Sequence, residues 1–205
     1  MTGRAYPPEP WDLSGRGWIT LWRVATDAVP PLPHGTRPLR IGRTALAVSV
    51  FVDYAPSGLL AYHELLAGVA VRHGRTPGLC ITDIWVDSPE SRAGGRALWG
   101  IPKELASFDD PTAARLPGGP PLAAAAFGPG GRAVRLPLPL RTRTIQATTD
   151  GTAWPSRIVA RGTLARTTAA WRIPAAGPLA WLADGRPVLH LTAPDFAMTF
   201  GPSLL

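Results

Sequence analysis

The run Gly95-Arg96-Ala97-Leu98-Trp99-Gly100-Ile101-Pro102-Lys103-Glu104-Leu105-Ala106 contains the only lysine of the chain. Just before it, Ser88-Pro89-Glu90 carries the marks of a helix start: a hydroxyl N-cap, a proline at the first helical position and an acid at the positive end of the dipole. Gly100 and Pro102 stop that helix, and Pro102 fixes its own φ while restricting Ile101. The backbone that carries Lys103 is therefore stiff. Gly94 and Gly95 each weaken the helix by roughly 1 kcal/mol relative to alanine, which points to close approach by another backbone or a ligand.

Outward from this stretch, proline and glycine break the chain into short pieces, among them Pro30-Pro31, Gly118-Gly119-Pro120-Pro121 and Gly128-Pro129-Gly130-Gly131. Residues 18–24, 45–54, 79–86, 142–149, 161–173 and 188–192 have β character. Asp150-Gly151 and Asp184-Gly185 read as hairpin turns, and residues 128–131 as a hairpin loop. The pattern predicts an α+β fold, predominantly antiparallel β, with a curled sheet forming a cone- or barrel-like core and few short helices. Residues 1–205 are expected to form a single domain, since 45% hydrophobic content over this length supports one sizeable core. Residues 58–72 are ambiguous: Ser57 can cap a helix, whereas Tyr62, Glu64 and Leu66 can line one face of a strand.

Of the 21 Lys and Arg residues only Lys103 can form an imine. A clamp for a carboxylate would use arginine at least as well. To attack a ketone the amine must be neutral, although an unperturbed lysine has a pKa of about 10.4. A value near 7 costs the cation roughly 4 kcal/mol. Burial among Trp99, Ile101, Leu105 and Phe108, with Arg96 as a nearby cation, is a way to supply that cost. Glu104 and the helix C-terminus act in the opposite sense unless Glu104 points away. The plain alternative is a snorkelling surface lysine paired with Glu104, Asp109 or Asp110.

The quoted run resembles the signature of the acetoacetate decarboxylase family, in which Gly-Arg, a short apolar stretch and Pro-Lys-Lys-Leu carry the imine-forming lysine. Lys103 falls on that position. Gly58-Leu59-Leu60-Ala61-Tyr62-His63-Glu64 is similar to the family segment that ends on a catalytic-site glutamate, which maps onto Glu64, and Gly15-Arg16-Gly17-Trp18 to the segment with an active-site arginine, which maps onto Arg16. These matches span residues 11–110 and imply that Tyr62 to Leu66 form a strand. The sequence departs from the family twice: Glu104 replaces the second lysine, whose charge is the family's device for activating the first, and the second family carboxylate falls at Ser49.

The resemblance implies a lyase that forms a Schiff base on Lys103, with Glu64 as proton shuttle and Arg16 orienting a substrate carboxylate or a neighbouring acid. Decarboxylation of a β-keto acid is the first reading. Aldol addition with dehydration through the same enamine is the second, and a non-catalytic binding module for an anionic small molecule is the third. Arg96, Trp99, Tyr62 and Trp85 are the expected substrate contacts.

Other chemistry finds little support. The four histidines make no HExxH motif, and His63 is expected to face away from Glu64, so no metal and no cofactor are expected. Asp83, Trp85 and Asp87 share one strand face, either lining the pocket or serving structure. A lone Cys80 reads as a small core residue. The net charge of +7 is spread singly along the chain, which argues against nucleic acid, and there is no apolar run long enough for a membrane span. Residues 1–10 lack a signal-peptide core, so a cytoplasmic protein is expected. Its expected partners are a small-molecule keto acid and further copies of itself in a homo-oligomer.

Overall fold

The computed structural model describes residues 5–204. Along the chain run β1 (Trp11–Ala25), β2 (Thr36–Pro38), β3 (Arg40–Ile41), β4 (Thr44–Tyr54), β5 (Tyr62–His73) and β6 (Thr76–Val86), then α1 (Pro89–Trp99). Next come β7 (Lys103–Leu105), β8 (Ser107–Asp110), β9 (Ala113–Arg115), β10 (Pro121–Phe127), β11 (Val134–Arg135), β12 (Leu140–Ala147), β13 (Ala153–Arg166) and β14 (Ala169–Arg172). A one-turn helix α2 (Ala180–Ala183) and β15 (Arg186–Ser203) complete it.

Strands β5, β4, β1, β15, β13, β12 and β6 pair in that order, and β6 returns to β5, so the sheet closes into a ring. Every junction is antiparallel except β12 with β6, a parallel seam where Thr144 meets Leu79. Closure removes the exposed edges that an open sheet of this length would present. This is the curled, largely antiparallel α+β architecture expected from the strand pattern. A second sheet, β14-β10-β9-β8, lies outside the ring.

Strands β1, β4, β5 and β6 bury residues on both faces, and strand parity decides which side chain goes where. On β1 Trp11 and Leu13 turn inward, while Trp22 and Val24 belong to an outer core with Phe51, Leu65, Trp85 and the small sheet's Leu122 and Ala125. Cys80 is buried with Val69, Val71 and Ile145 in a third cluster, the small core residue that was expected.

Several local expectations change. Residues 161–173 do not form one strand; they divide into the end of β13 and β14, which lie in different sheets. Asp150-Gly151 does turn the β12–β13 hairpin, with Gly151 at φ 83° and Thr148 N donating to Thr152 O at 2.9 Å. Asp184-Gly185 instead follows α2, where Gly185 N donates to Leu182 O at 2.9 Å. Residues 128–131 join β10 to β11, which pair with different sheets, so they form a crossover and not a hairpin loop.

Candidate active site

Helix α1 forms as its sequence dictates. Ser88 is extended at φ −109° and ψ 118°, its Oγ accepts from Ser91 N at 3.1 Å, and Gly100 ends the helix in the left-handed region at φ 62°. Strand β7 then pairs parallel to β6, with Lys103 opposite Ile84. The helix thus lies over the lysine, and the paired glycines have a purpose. A Cβ on Gly95 would sit 2.7 Å from Lys103 Cδ, and one on Gly94 2.4 Å from the Trp11 ring. The close approach inferred from Gly94-Gly95 comes from two side chains of the site wall.

Lys103 and Glu64 are both buried, at 4% and 3% exposure. Lys103 Nζ donates to Glu64 Oε2 at 2.7 Å, to Ser91 Oγ at 2.9 Å and to Tyr62 OH at 3.3 Å, so each of its three protons has an acceptor. Tyr54 OH donates to the other carboxylate oxygen, Glu64 Oε1, at 3.2 Å. The Tyr62 ring lies 5.1 Å below the ammonium. Burial pulls the Lys103 pKa down, but attraction to Glu64 and Tyr62, reinforced by hydrogen bonds to both, raises it above the ordinary lysine value. Burial, then the Glu64 charge, pushes the Tyr62 hydroxyl up to about 12 against the pull of Lys103, and the same two causes hold Tyr54 well above its ordinary value. The resting lysine is a paired cation, not the neutral amine that burial alone was expected to give.

Glu104 does not disturb this pair. It alternates outward from Lys103 along β7, half-exposed, and takes Arg92 Nε at 3.3 Å and Arg96 as partners. Arg96 also donates from Nε to the Lys103 carbonyl at 2.6 Å. It therefore braces the lysine's backbone from outside the cavity and reaches neither Nζ nor a substrate position, which corrects its expected role.

The pair opens on a cavity of about 270 Å³ inside the ring. Trp99 and Tyr62 line it, and Trp11, Tyr54, Phe196 and Phe200 add an aromatic wall that the sequence reading missed. Trp85 does not reach it: parity on β6 sends Ile84 inward and Trp85 into the outer core. Trp18 and Trp22 belong to that outer core as well. Ser49 also faces outward, accepting from Trp22 Nε1 at 2.8 Å, so the inward residues of β4 beside it are Val50 and Val52. Asp83 and Asp87 are structural: Asp83 accepts from Trp181 Nε1 at 3.0 Å, and Asp87 holds His63 Nδ1 at 2.7 Å.

Arg16 stands on the outer face of β1, pairs with Asp53 at 2.9 Å and stacks 5.4 Å from the Trp18 ring. It borders a separate groove whose wall shares Gly17 and Ala193 with the inner cavity. His63 faces away from Glu64, as expected, and lies 3.6 Å from Asp53. Arg16, Asp53, His63 and Asp87 thus form a polar row across β1, β4, β5 and the end of β6. Sequence reasoning also missed Ser91 and Tyr54. Tyr54 had a usable signal, its even-numbered register with Val50 and Val52; Ser91 had only its place one turn before Gly94-Gly95.

Residues 2–177 match the family described as Acetoacetate decarboxylase (ADC), well beyond the stretch that carries the motif resemblance. The curated Acetoacetate decarboxylase 3 of Mesorhizobium japonicum is 28% identical over 111 residues, 52% of this chain and 41% of that protein. The matched segment spans less than half of that relative. The solved acetoacetate decarboxylase of Legionella pneumophila superposes with a TM-score of 0.71 at 19% identity, covering 99% of this chain and 91% of that one. The enduracididine biosynthesis enzyme MppR superposes with a TM-score of 0.65 at 15% identity, covering 98% and 89%. With most of its length matched, the chain belongs to the acetoacetate decarboxylase family.

Proposed function

We propose that Lys103 forms a Schiff base with a small keto acid and that the chain acts as a carbon–carbon lyase, decarboxylating a β-keto acid. The observation that carries this reading is the Lys103–Glu64 contact of 2.7 Å, buried in an apolar cavity. A surface cation would not be placed so. The amine must lose a proton before it attacks, and Glu64 is the acceptor in direct contact. In a dry site that transfer removes two poorly solvated charges, which offsets much of its cost. Attack on the ketone carbon gives a carbinolamine, Glu64 returns the proton to its hydroxyl, and water leaves with formation of the iminium. The electrons of the bond to the carboxylate flow into the iminium as carbon dioxide departs. The resulting enamine takes a proton on carbon, and water hydrolyses the imine to release ketone and free amine.

The apolar walls favour this direction, because a carboxylate loses hydration there while carbon dioxide does not. Trp99 and Tyr62 serve as substrate contacts. Arg16 serves as a positioning residue: through Asp53 it ties β1 to β4 beside Tyr54, and Asp53 meets His63, the residue before Glu64. A second reading is aldol addition and dehydration through the same enamine. It is favoured by the likeness in fold to MppR, for which a solved complex holds the condensation product of pyruvate and imidazole 4-carboxaldehyde.

Carbon dioxide release from a β-keto acid tests the proposal. The wild-type chain should release it, and Lys103→Arg, which keeps the charge but cannot form the imine, should not. Equal release by both would overturn the reading, whereas a new carbon–carbon bond from pyruvate and an aldehyde, without carbon dioxide, would select the second.

A further inference from the structure

The walls of the cavity ask for more than a small keto acid. Lys103 and Glu64 enter from β7 and β5. Away from them the lining is built of Val50, Ile81, Ile158, Met198 and their apolar neighbours. In the ring β13 and β15 both stand three strands away from β5, and between them Ile158, Ala160 and Met198 supply the opposite wall. Beyond Ala160 the cavity reaches Leu136 and Leu140 of the Leu136-Pro137-Leu138-Pro139-Leu140 segment. Here the apolar surface continues into solvent, with Leu140 at 54%, Leu138 at 76% and Val134 at 62% exposure. The only cation besides Lys103 along this lining is Arg161, on β13, and among the described residues it makes no ion pair or side-chain hydrogen bond. A cavity of about 270 Å³ holds roughly nine groups of the size of a water molecule, at about 30 Å³ each. The shortest β-keto acid, four carbons and three oxygens, would fill about half of that space and leave the apolar far wall uncovered.

We infer that the site takes a carbonyl compound with a straight apolar tail of medium length, its carbonyl at Lys103 and its tail lying across the ring towards Ala160 and Leu140. The inference rests on the imine reading for the placement of the carbonyl, but the tail's recognition depends only on the cavity. Each methylene moved from water into such a wall strengthens binding about fourfold. The gain should continue until the cavity is filled and then level off as the tail emerges at Leu138.

The experiment uses the full chain and two ligand series of increasing length. Straight-chain β-keto acids are followed by kcat/KM and borohydride trapping, and unreactive straight-chain 2-alkanols by calorimetric affinity. The expected result is a rise of about fourfold per methylene in both series, to a plateau. Ala160→Phe, which narrows the far wall, should move the plateau to shorter tails and lower the ratio of long-tail to short-tail affinity. Affinity that stays flat or falls with alkanol length overturns the inference, whether or not the shortest keto acid traps on Lys103. Rising alkanol affinity without any trapped adduct sustains the tail site and sinks the imine reading instead. The wild-type series decides the matter should Ala160→Phe not fold.

Discussion

Glu64→Gln separates the two roles proposed for one carboxylate, partner of the lysine cation and carrier of its proton. Glutamine keeps the size of the side chain and an oxygen for the Tyr54 hydroxyl, but it removes the negative charge 2.7 Å from Lys103 Nζ. At an effective dielectric of about 20, Coulomb attraction over that distance is about 6 kcal/mol. Part of this offsets the desolvation of the two ions, and removing one partner of a buried pair typically destabilises by about 3–5 kcal/mol. Denaturant unfolding of Glu64→Gln near neutral pH should show a loss in that range. The companion Lys103→Met/Glu64→Gln should recover much of it, since no unpaired charge remains. With the Glu64 charge gone, burial dominates and the Lys103 pKa falls, so its labelling by an amine-directed reagent should begin at lower pH. If a neutral amine were all the reaction needed, turnover at neutral pH would rise. The opposite is expected, a fall of about 10²–10⁴-fold, because no group is left to carry the proton. Faster turnover by Glu64→Gln, or unchanged stability, would mean that Glu64 neither carries the proton nor balances the Lys103 charge.

Gly95→Ala should cost turnover heavily and the fold less than the loss of the Glu64 charge does. Its Cβ would meet Lys103 Cδ at 2.7 Å and push the lysine stem within its buried ion pair, so kcat should fall by about 10²-fold, while unfolding should lose up to about 3 kcal/mol, less than in Glu64→Gln because both charges remain. Trp85→Ala should do the reverse: it hollows the outer core and should lower stability by about 3–5 kcal/mol, while turnover per folded molecule and trapping on Lys103 are retained. The folded-state pKa of Lys103 lies above its ordinary 10.5, so the ion pair stabilises the fold fully below that value and its contribution is lost as pH rises through the folded-state pKa. Tm should therefore fall more steeply with alkaline pH in the wild type than in Lys103→Met.

The lysine run was legible because its signals are local. A cap, a proline and a glycine stop define α1 within a few residues, and stiff backbone delivers Lys103 at a fixed place beside β6. Which residues surround it was harder to read, for a physical reason. Strands β1, β4, β5 and β6 are buried on both faces, inside by the cavity and outside by the second sheet, so apolar alternation along them does not distinguish inward from outward. Trp85 and Ile84 are equally apolar neighbours, and only the closed ring shows that Ile84 faces the lysine. Ser49 and Val50 exchange roles in the same way. The charge state of Lys103 was hidden for another reason. Desolvation can be guessed from apolar neighbours in sequence, whereas the opposing Glu64 comes from a strand 39 residues away. The crossover at residues 128–131 was unreadable because glycine and proline mark a turn in the chain without saying which sheet it enters next.

Whether Lys103 is the nucleophile is decided by mass analysis of the Lys103 peptide after borohydride reduction in the presence of a β-keto acid. One adduct is expected, on Lys103 alone, with the mass of the reduced imine of the ketone product, and less of it in Glu64→Gln. An unmodified Lys103 peptide under conditions in which the substrate is turned over would show that Lys103 is not the nucleophile.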